Sequence, residues 1–438
     1  MKITRVLISI CLAVLMVLIC APAAWAFCGF YVAKADAKLY NKASQVIIAR
    51  NDNKTILTMA NDFQGDVKDF AIVVPVPVVI KEEQVNIGEN KIIERLDAFS
   101  APRLVEYFDP DPCEQPKVYN AVPEAVPAPS TNQQMRRDKD SLGVTIEAKF
   151  SVGEYDILVL SAKESNGLET WLNRNNYKIP RGANQLLKPY IRQGMKFFVA
   201  KVNLEKFNKT GYEFLRPIQI AYQTPKFMLP IRLGMINAQS EQDLIVYILS
   251  PKGQAELTNY RLVNIPSDTE IPLFVKEEFS SFYKSMFAQA YNKESKKVGF
   301  LEYAWNMASC DPCSAEPLNT EELKKAGVFW LNESNNVFIS RIHVRYTRDK
   351  FPEDLMFEET SNQNQFQGRY VLNHPFKNST NCPAAKNYQN QVKQRYEREA
   401  RNLARLTGWN VNDIRKKMKV KISEIPNDDP FWRNVWER

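Results

Sequence analysis

The chain has 438 residues, 45% of them hydrophobic and 25% charged, which are ordinary values for a folded protein and exclude a disordered chain. This length is too great for a single hydrophobic core and predicts about two to three domains. The net charge is +8, but residues 386–424 hold eleven Lys/Arg and only four Asp/Glu, so the basicity belongs to one C-terminal segment.

The first segment has the layout of a secretory signal peptide. Two basic residues precede the apolar run Val6–Ala21, and the small-residue triplet Ala24–Ala26 ends just before Phe27. The pattern predicts that residues 1–26 are removed and that the mature protein is extracytoplasmic, either periplasmic or secreted. The alternative is a membrane tether with an uncleaved signal, because Val6–Ala26 reaches the roughly 20 residues that a span needs.

The first mature block, residues 27–109, is predicted to be β-rich. Strands Gln45–Arg50 and Thr55–Asn61 flank an Asn-Asp-Asn tripeptide with hairpin-turn chemistry. The run Phe70–Val79 is β-branched but contains two prolines, which places it at a sheet edge or where a strand leaves the sheet. A short helix over Lys91–Ser100 follows.

Residues 110–140 contain six prolines and a polar run, and this composition predicts a linker or loop. The second β-rich block, residues 141–275, begins with a hairpin that has Gly153 in its turn. A helix is predicted over Gly167–Asn175. Five further strands are expected at Met195–Asn203, Pro217–Gln223, Phe227–Leu233, Leu244–Ser250 and Arg261–Ile265.

The segment 276–375 combines an amphipathic helix, a C-x-x-C turn and closing strands. Aromatic and aliphatic residues of Lys276–Asn292 recur at helical spacing, which favours a core-facing helix over a ligand groove. Asn319 and Glu322 have the spacing of a capping box. On the closing strand Val337–Thr347, two arginines and a histidine share one face. That face is interpreted as solvated, with an anion-binding stripe as the alternative.

The basic segment 376–438 is predicted to be helical near Lys386–Leu406 and Asn412–Lys419, with a break at Gly408. An apolar stripe favours a terminal helix packed on the body. The alternative is adhesion to an anionic cell-envelope surface through Arg395, Arg398, Arg401 and Arg405. Nucleic acid is not an expected partner of an exported protein, and the oligomeric state is left open.

Five cysteines remain after signal removal, and an oxidising compartment favours structural disulfides among them. These candidates are Cys28, Cys113, Cys310, Cys313 and Cys382. Two bridges and one odd thiol are expected, in any of fifteen arrangements. The alternatives are a redox-active Cys310–Cys313 pair, in which one thiolate attacks and the other resolves, and a zinc site built from thiolates.

No other pattern indicates catalysis or a cofactor. The chain has only two histidines, which leaves few candidates for a Ser-His-Asp triad or a histidine-rich metal site. It has only 15 glycines, and they form no glycine-rich phosphate loop. The predictions are therefore an α+β fold with mainly antiparallel sheets, and a non-enzymatic exported protein that binds a ligand or has a structural role. No cofactor, metal ligand or catalytic residue is assigned. The alternative function is a thiol-disulfide oxidoreductase.

Several segments together resemble an uncharacterised family of exported bacterial proteins, domain of unknown function 2330. They are Cys28–Val32, Asp69–Pro77, Ala101–Tyr107 with Asp111–Cys113, Trp171–Leu172, Tyr177–Pro180, Tyr190–Phe198 and Cys310–Cys313. The resemblance spans most of the mature chain. It implies a secreted or periplasmic protein with cysteine-bearing turns, and it implies no reaction, substrate or cofactor.

Overall fold

A computed structural model describes residues 30–33, 40–41, 44–60, 63–64, 70–113, 144–175, 183–210, 215–236, 241–310, 313, 315–377 and 382–424. The predicted signal peptide, Cys28 and most of the predicted linker lie outside these residues. The α-helices are α1 Asn90–Ser100, α2 Ser165–Arg174, α3 Ala183–Arg192, α4 Leu204–Thr210, α5 Phe279–Lys293, α6 Thr320–Lys325, α7 Pro383–Thr407 and α8 Val411–Glu424.

The strands of the described chain are mostly short. They are β1 Phe30–Ala33, β2 Tyr40–Asn41, β3 Ser44–Asn51, β4 Lys54–Ala60, β5 Phe63–Gln64, β6 Phe70–Val76, β7 Val85–Ile87, β8 Arg103–Phe108, β9 Val144–Val152, β10 Tyr155–Ala162, β11 Lys196–Val202, β12 Ile218–Gln223, β13 Met228–Leu229, β14 Gln242–Ser250, β15 Ala255–Leu257, β16 Arg261–Asn264, β17 Thr269–Glu270, β18 Val298–Asn306, β19 Phe338–Tyr346, β20 Leu355–Glu359, β21 Phe366–Gln367 and β22 Arg369–His374.

Two sheets packed face to face form the centre of the molecule. The larger has the order β16-β18-β19-β14-β3-β4-β12-β7, with β21 paired to β18, and the smaller has the order β1-β6-β11-β10-β9. Most neighbours are antiparallel, which confirms the predicted α+β class, although β14 pairs with β3 and β16 with β18 in parallel. Apolar side chains of both sheets, such as Ile48, Val74 and Val246, form one buried cluster between them. Each such side chain stabilises the fold by about 1.5–3 kcal/mol.

Helices cover both outer faces of this sandwich. Helices α2 and α3 bury Leu168 and Leu187 against Phe197 of the smaller sheet. On the larger sheet, α1 and α6 cover the half that includes Tyr247, and α5, α7 and α8 cover the half that includes Phe300. The molecule therefore has four layers, and the centre of the larger sheet is enclosed on both sides.

The amphipathic helix is confirmed as a core element. In α5, the residues Phe282, Met286, Phe287, Ala290 and Tyr291 are all buried. Their spacing puts them on one side of the helix, where they face β18 and the C-terminal helices. The predicted ligand-groove alternative has no support in this packing.

Three turns confirm the predicted turn chemistry. Asp52 in the β3–β4 turn has a φ angle of 54°, and Gly153 in the β9–β10 turn has 55°. Gly408 ends α7 in the left-handed conformation, with φ of 74°, and separates it from α8. Asn, Asp and Gly tolerate this region, so these residues fix where the chain reverses. The predicted capping box is also present, because Asn319 and Glu322 exchange hydrogen bonds at the start of α6.

The predicted segments are not separate sheets. Within the larger sheet, β3 and β4 come from the first β-rich block, β12 and β14 from the second, and β18 and β19 from the third segment. The edge position predicted for Phe70–Val79 is only partly right. Strand β6 lies between β1 and β11; within the described residues β1 pairs with Phe70–Val73, whereas β11 pairs with residues 71–76.

Every helix in the described part of the chain is too short or too polar to act as a membrane span.

Candidate functional site

Two disulfides connect four of the five cysteines that follow the predicted signal peptide. Cys113 bonds to Cys382, with a Cα–Cα distance of 5.9 Å, and Cys310 bonds to Cys313, with 5.0 Å. The first bridge joins residues 269 positions apart in sequence, whereas the second joins residues three positions apart. Bridges of both kinds are consistent with an exported protein, because thiols stay reduced in the cytoplasm. Cys28 lies outside the described residues.

The bonded cysteines bear on the two alternative sulfur chemistries, which are zinc binding and thiol-disulfide exchange. Four thiolates are not available for zinc while both bridges are formed, and no cluster of His, Cys, Asp and Glu in the described residues could hold a metal ion. After Cys313, the next helix along the chain, α6, begins only at Thr320. A helix N-terminus, which would stabilise an attacking thiolate, is therefore not adjacent to this pair.

The long-range bridge clamps the C-terminal arm, which is the helix pair α7–α8, to the body. Cys382 immediately precedes α7. Six residues further on, Tyr388 donates a hydrogen bond of 2.6 Å to Asp109, next to β8. Arg395 binds the same carboxylate with two N–H groups at 2.8 and 2.9 Å. A covalent bond and a bidentate ion pair thus fix α7 to the end of β8.

The arginines predicted to contact an anionic cell-envelope surface mostly form ion pairs within the protein. Arg395 binds Asp109, and Arg398 binds Glu270 at 2.8 Å. Arg401 binds Glu397 at 2.7 Å, and its side chain is 72% exposed. These contacts favour the predicted packing of α7 on the body. Adhesion to an envelope surface is tested by no observation and stays a prediction.

A buried ionic network lies between the larger sheet and α5. Glu302 of β18 is fully buried, while Arg341 and His343 of β19 are 4% and 7% exposed. Glu302 accepts hydrogen bonds from Arg341 Nε at 2.6 Å, from His343 Nδ1 at 2.8 Å and from the Tyr283 hydroxyl. The other ring nitrogen of His343 donates to Asp243 of β14 at 3.1 Å. The prediction that this face of β19 is solvated is therefore wrong, because α5 covers the face.

A β-bulge in β18 turns the Glu302 side chain towards this network. The register between β18 and β19 passes from Leu301 opposite Ile342 to Tyr303 opposite Arg341, so Glu302 has no partner across the ladder. Two consecutive side chains, Glu302 and Tyr303, consequently face the helix side of the sheet, whereas Leu301 faces the core. Bulges commonly redirect a side chain in this way.

The network holds its groups in their charged forms. Burial alone would lower the pKa of His343, but the charge of Glu302 and the hydrogen bonds that the ring donates to both carboxylates outweigh it and raise the pKa to about 9. Burial would likewise raise the pKa of Glu302, but His343 and Arg341 lower it to about 2. Both ring nitrogens of His343 are engaged by carboxylates, so neither is free to accept a proton from a substrate. Phe287 also stacks on its ring, with centroids 4.0 Å apart. The network is structural.

Stability should depend on pH through this network. The pKa of His343 is raised from 6.5 to about 9, so its contribution is fully present below about pH 6.5 and is lost as the pH rises through 9. The pKa of Glu302 is lowered from 4.5 to about 2, so its contribution is present above about pH 4.5 and is lost as the pH falls through 2. Urea unfolding at pH 6 and pH 9.5 should give a lower free energy at the higher pH. A His343→Gln variant should reduce that difference, and an unchanged difference would contradict this assignment.

The turn cleft is an open pocket of about 680 Å³ at one end of the larger sheet. It is lined by the β3–β4 turn, the end of β12, Lys252 after β14, and the end of β20. Parallel β3 and β14 both end here, which brings their following turns together. The volume lies within the range of roughly 300–1,000 Å³ that is typical of small-molecule sites.

Buried charges of both signs meet in the turn cleft. Arg50 follows the core-facing residues of β3 and is 3% exposed, with its guanidinium 4.6 Å from the ring centre of Phe227. It donates to Thr55 at 2.8 Å and to the Thr224 carbonyl at 3.2 Å. Glu359 of β20 lies 3.9 Å from Arg50 and 3.8 Å from Lys252. This cluster is the best candidate binding site in the described chain.

Sequence reasoning did not find the turn cleft. Arg50 ends a strand, and Glu359 ends another strand far along the chain. The only sequence signal is that each is a charged residue at the end of a largely apolar strand. The residues predicted as site candidates, the cysteines, lie elsewhere: none of Cys113, Cys310, Cys313 and Cys382 lines this cleft.

These features define a disulfide-tied β-sandwich with helices on both outer faces and a polar cleft at one end. Its family can also be stated. Residues 22–358 match the family described as an uncharacterized protein conserved in bacteria, DUF2330, so the chain belongs to that family and the resemblance found in the sequence is confirmed. The match ends before α7, so the C-terminal arm lies beyond it.

Comparison with the curated proteins and with the solved structures found no match to this chain.

Proposed function

We propose that this is an exported bacterial protein, periplasmic or secreted, that binds a small polar ligand in the turn cleft and catalyses no reaction. The observation that carries the proposal is the cleft itself, in which buried Arg50 and Glu359 meet Lys252 in a pocket of about 680 Å³. Buried charges are costly unless they have a role or good partners, and Glu359 accepts no hydrogen bond from Arg50 or from Lys252, which pairs with Asp52 instead.

Export is supported by the signal-peptide pattern at residues 1–26 and by the two disulfides. Absence of catalysis is supported by the state of the described ionisable groups. Within the network around Glu302, His343 is enclosed, bonded to two carboxylates and covered by Phe287.

Binding can be tested by thermal unfolding of the purified mature protein against a broad set of small polar molecules. We expect at least one compound class to raise Tm, since a ligand at 100 times its Kd stabilises by about 2.7 kcal/mol. Lys252→Met should abolish the shift without unfolding the protein, because that side chain is 43% exposed. Exposed Lys163 lies outside the cleft, so Lys163→Met is the matched control. If no compound stabilises the protein, or if both variants respond alike, the proposal is wrong.

The second candidate function is a thiol-disulfide oxidoreductase using Cys310 and Cys313. The observation in its favour is that Cys313 is exposed while bonded to Cys310, so an external thiolate can reach it. A readily cycled pair that reduces insulin, with activity lost in Cys310→Ser, supports this function. A pair with a reduction potential below about −300 mV supports a structural role.

A further inference from the structure

The turn cleft carries nearly balanced charge. Three cationic and four anionic side chains line it, together with three side-chain amides and the rings of Phe227 and Phe357. An anionic ligand would meet the carboxylates, and a cationic ligand would meet Arg50 and Lys252. The lining therefore favours a ligand without net charge that makes many hydrogen bonds.

One oxygen in the cleft is poised to accept a further hydrogen bond. The Oε1 atom of Glu359 accepts from the Ser250 hydroxyl at 2.7 Å. The Oε2 atom lies 3.9 Å from Arg50 Nε and 3.8 Å from Lys252 Nζ, too far for a hydrogen bond to either. This carboxylate oxygen thus lies between two N–H donors without a hydrogen bond to either.

A hydroxyl group matches this arrangement, because it both donates and accepts. It can donate to Glu359 Oε2 while its oxygen accepts from Lys252 or Arg50. A phosphate or carboxylate has no proton to donate to Glu359 at neutral pH, and an ammonium group has no lone pair to accept from the two cations. Burial also raises the pKa of Glu359, and a donated hydrogen bond would stabilise its ionised form.

The rest of the cleft lining also contains groups that both donate and accept hydrogen bonds. Amides of the β3–β4 turn and of Gln223 are donors and acceptors at once, which suits adjacent hydroxyl groups. Phe227 and Phe357, with ring centres 5.2 Å apart, provide an apolar wall for carbon-bound hydrogens. We infer that the turn cleft binds a neutral saccharide, with Glu359, Arg50 and Lys252 holding one of its hydroxyl groups; this inference rests on the binding function proposed above.

The test is calorimetric titration of the mature protein, with both disulfides intact, against three kinds of probe. These are the neutral saccharides N-acetylglucosamine, maltose and cellobiose, then inorganic phosphate, then free lysine. We expect at least one saccharide to bind. Glu359→Gln and Lys252→Met should each raise its Kd at least tenfold. Glu164→Gln removes an exposed carboxylate outside the cleft and should leave Kd unchanged.

The outcomes separate this inference from the function on which it rests. The saccharide inference is overturned if no saccharide binds but phosphate or lysine does, and if Lys252→Met abolishes that binding. The binding function then stands. If a saccharide binds with equal Kd in both cleft variants, the site is elsewhere and the inference is overturned. If no probe binds here and the broad set of compounds also fails to raise Tm, both proposals are overturned.

Discussion

Replacing Cys113 and Cys382 together with serine is expected to lower the free energy of unfolding by about 5 kcal/mol. The bridge closes a loop of 269 residues, and in the chain-entropy model the stabilisation by a disulfide grows with the logarithm of loop length. The same model gives only about 2 kcal/mol for the Cys310–Cys313 bridge, which spans three positions. Urea unfolding under non-reducing conditions measures both changes.

The Cys310→Ser/Cys313→Ser double variant is the matched control for this prediction, because it also removes one bridge and two sulfur atoms. Limited proteolysis adds a local readout: cleavage within α7–α8 should speed up only when the Cys113–Cys382 bridge is absent. Equal losses of stability in the two double variants would show that loop closure is not the source of the effect.

Breaking the buried network at Glu302 is expected to cost about 3–5 kcal/mol. Glu302→Leu leaves Arg341 and His343 charged and buried without the carboxylate that joins them. Arg341→Met leaves Glu302 with His343 and Tyr283 only. The double variant should lose much less than the sum of the single losses, because the pair then disappears together and an apolar pair of similar size replaces it.

A double-mutant cycle in urea measures this coupling between Glu302 and Arg341. The control is the exposed pair Glu321–Lys324, whose side chains are 74% and 51% exposed and whose removal should change stability by less than about 1 kcal/mol. Additive losses at Glu302 and Arg341 would contradict the interpretation of the network as one cooperative unit.

Local elements were predictable because their causes lie within a few residues. The helix at Asn90–Ser100, the capping box at Asn319 and the helix break at Gly408 each follow from spacing or from a single residue's backbone preference. The same holds for the hairpin turns at Asp52 and Gly153. The mainly antiparallel α+β class follows from the sum of such elements.

The ionic network was not predictable from β19 alone. Alternating Arg341, His343 and Arg345 on one strand has the pattern of a solvated face, and only the docking of α5 reverses it. The sequence did contain one signal, since Glu302 is a lone carboxylate inside the otherwise apolar strand β18. A buried carboxylate needs cationic partners, but which strand supplies them depends on a register that sequence does not reveal.

The turn cleft depends on contacts that are even more distant along the chain. Arg50 and Glu359 meet because β3 pairs in parallel with β14 and because β20 pairs with β15, which follows the β14 turn. Parallel pairing needs a long connection, so its partners cannot be inferred from neighbouring turns. The disulfide pairing was open for the same reason, since fifteen arrangements fit the same five cysteines.

If the protein is exported as proposed, its cysteines enter an oxidising compartment in sequence order. A chain that crosses a membrane from its N-terminus exposes Cys113 to oxidants while the correct partner is still 269 residues behind. Cys28 emerges before Cys113, and Cys310 and Cys313 emerge before Cys382. Any early bond that Cys113 forms must therefore be exchanged before the arm can dock, and reshuffling takes seconds to hours. We expect the yield of native protein to depend on a host disulfide isomerase more than on the oxidant that forms the first bonds.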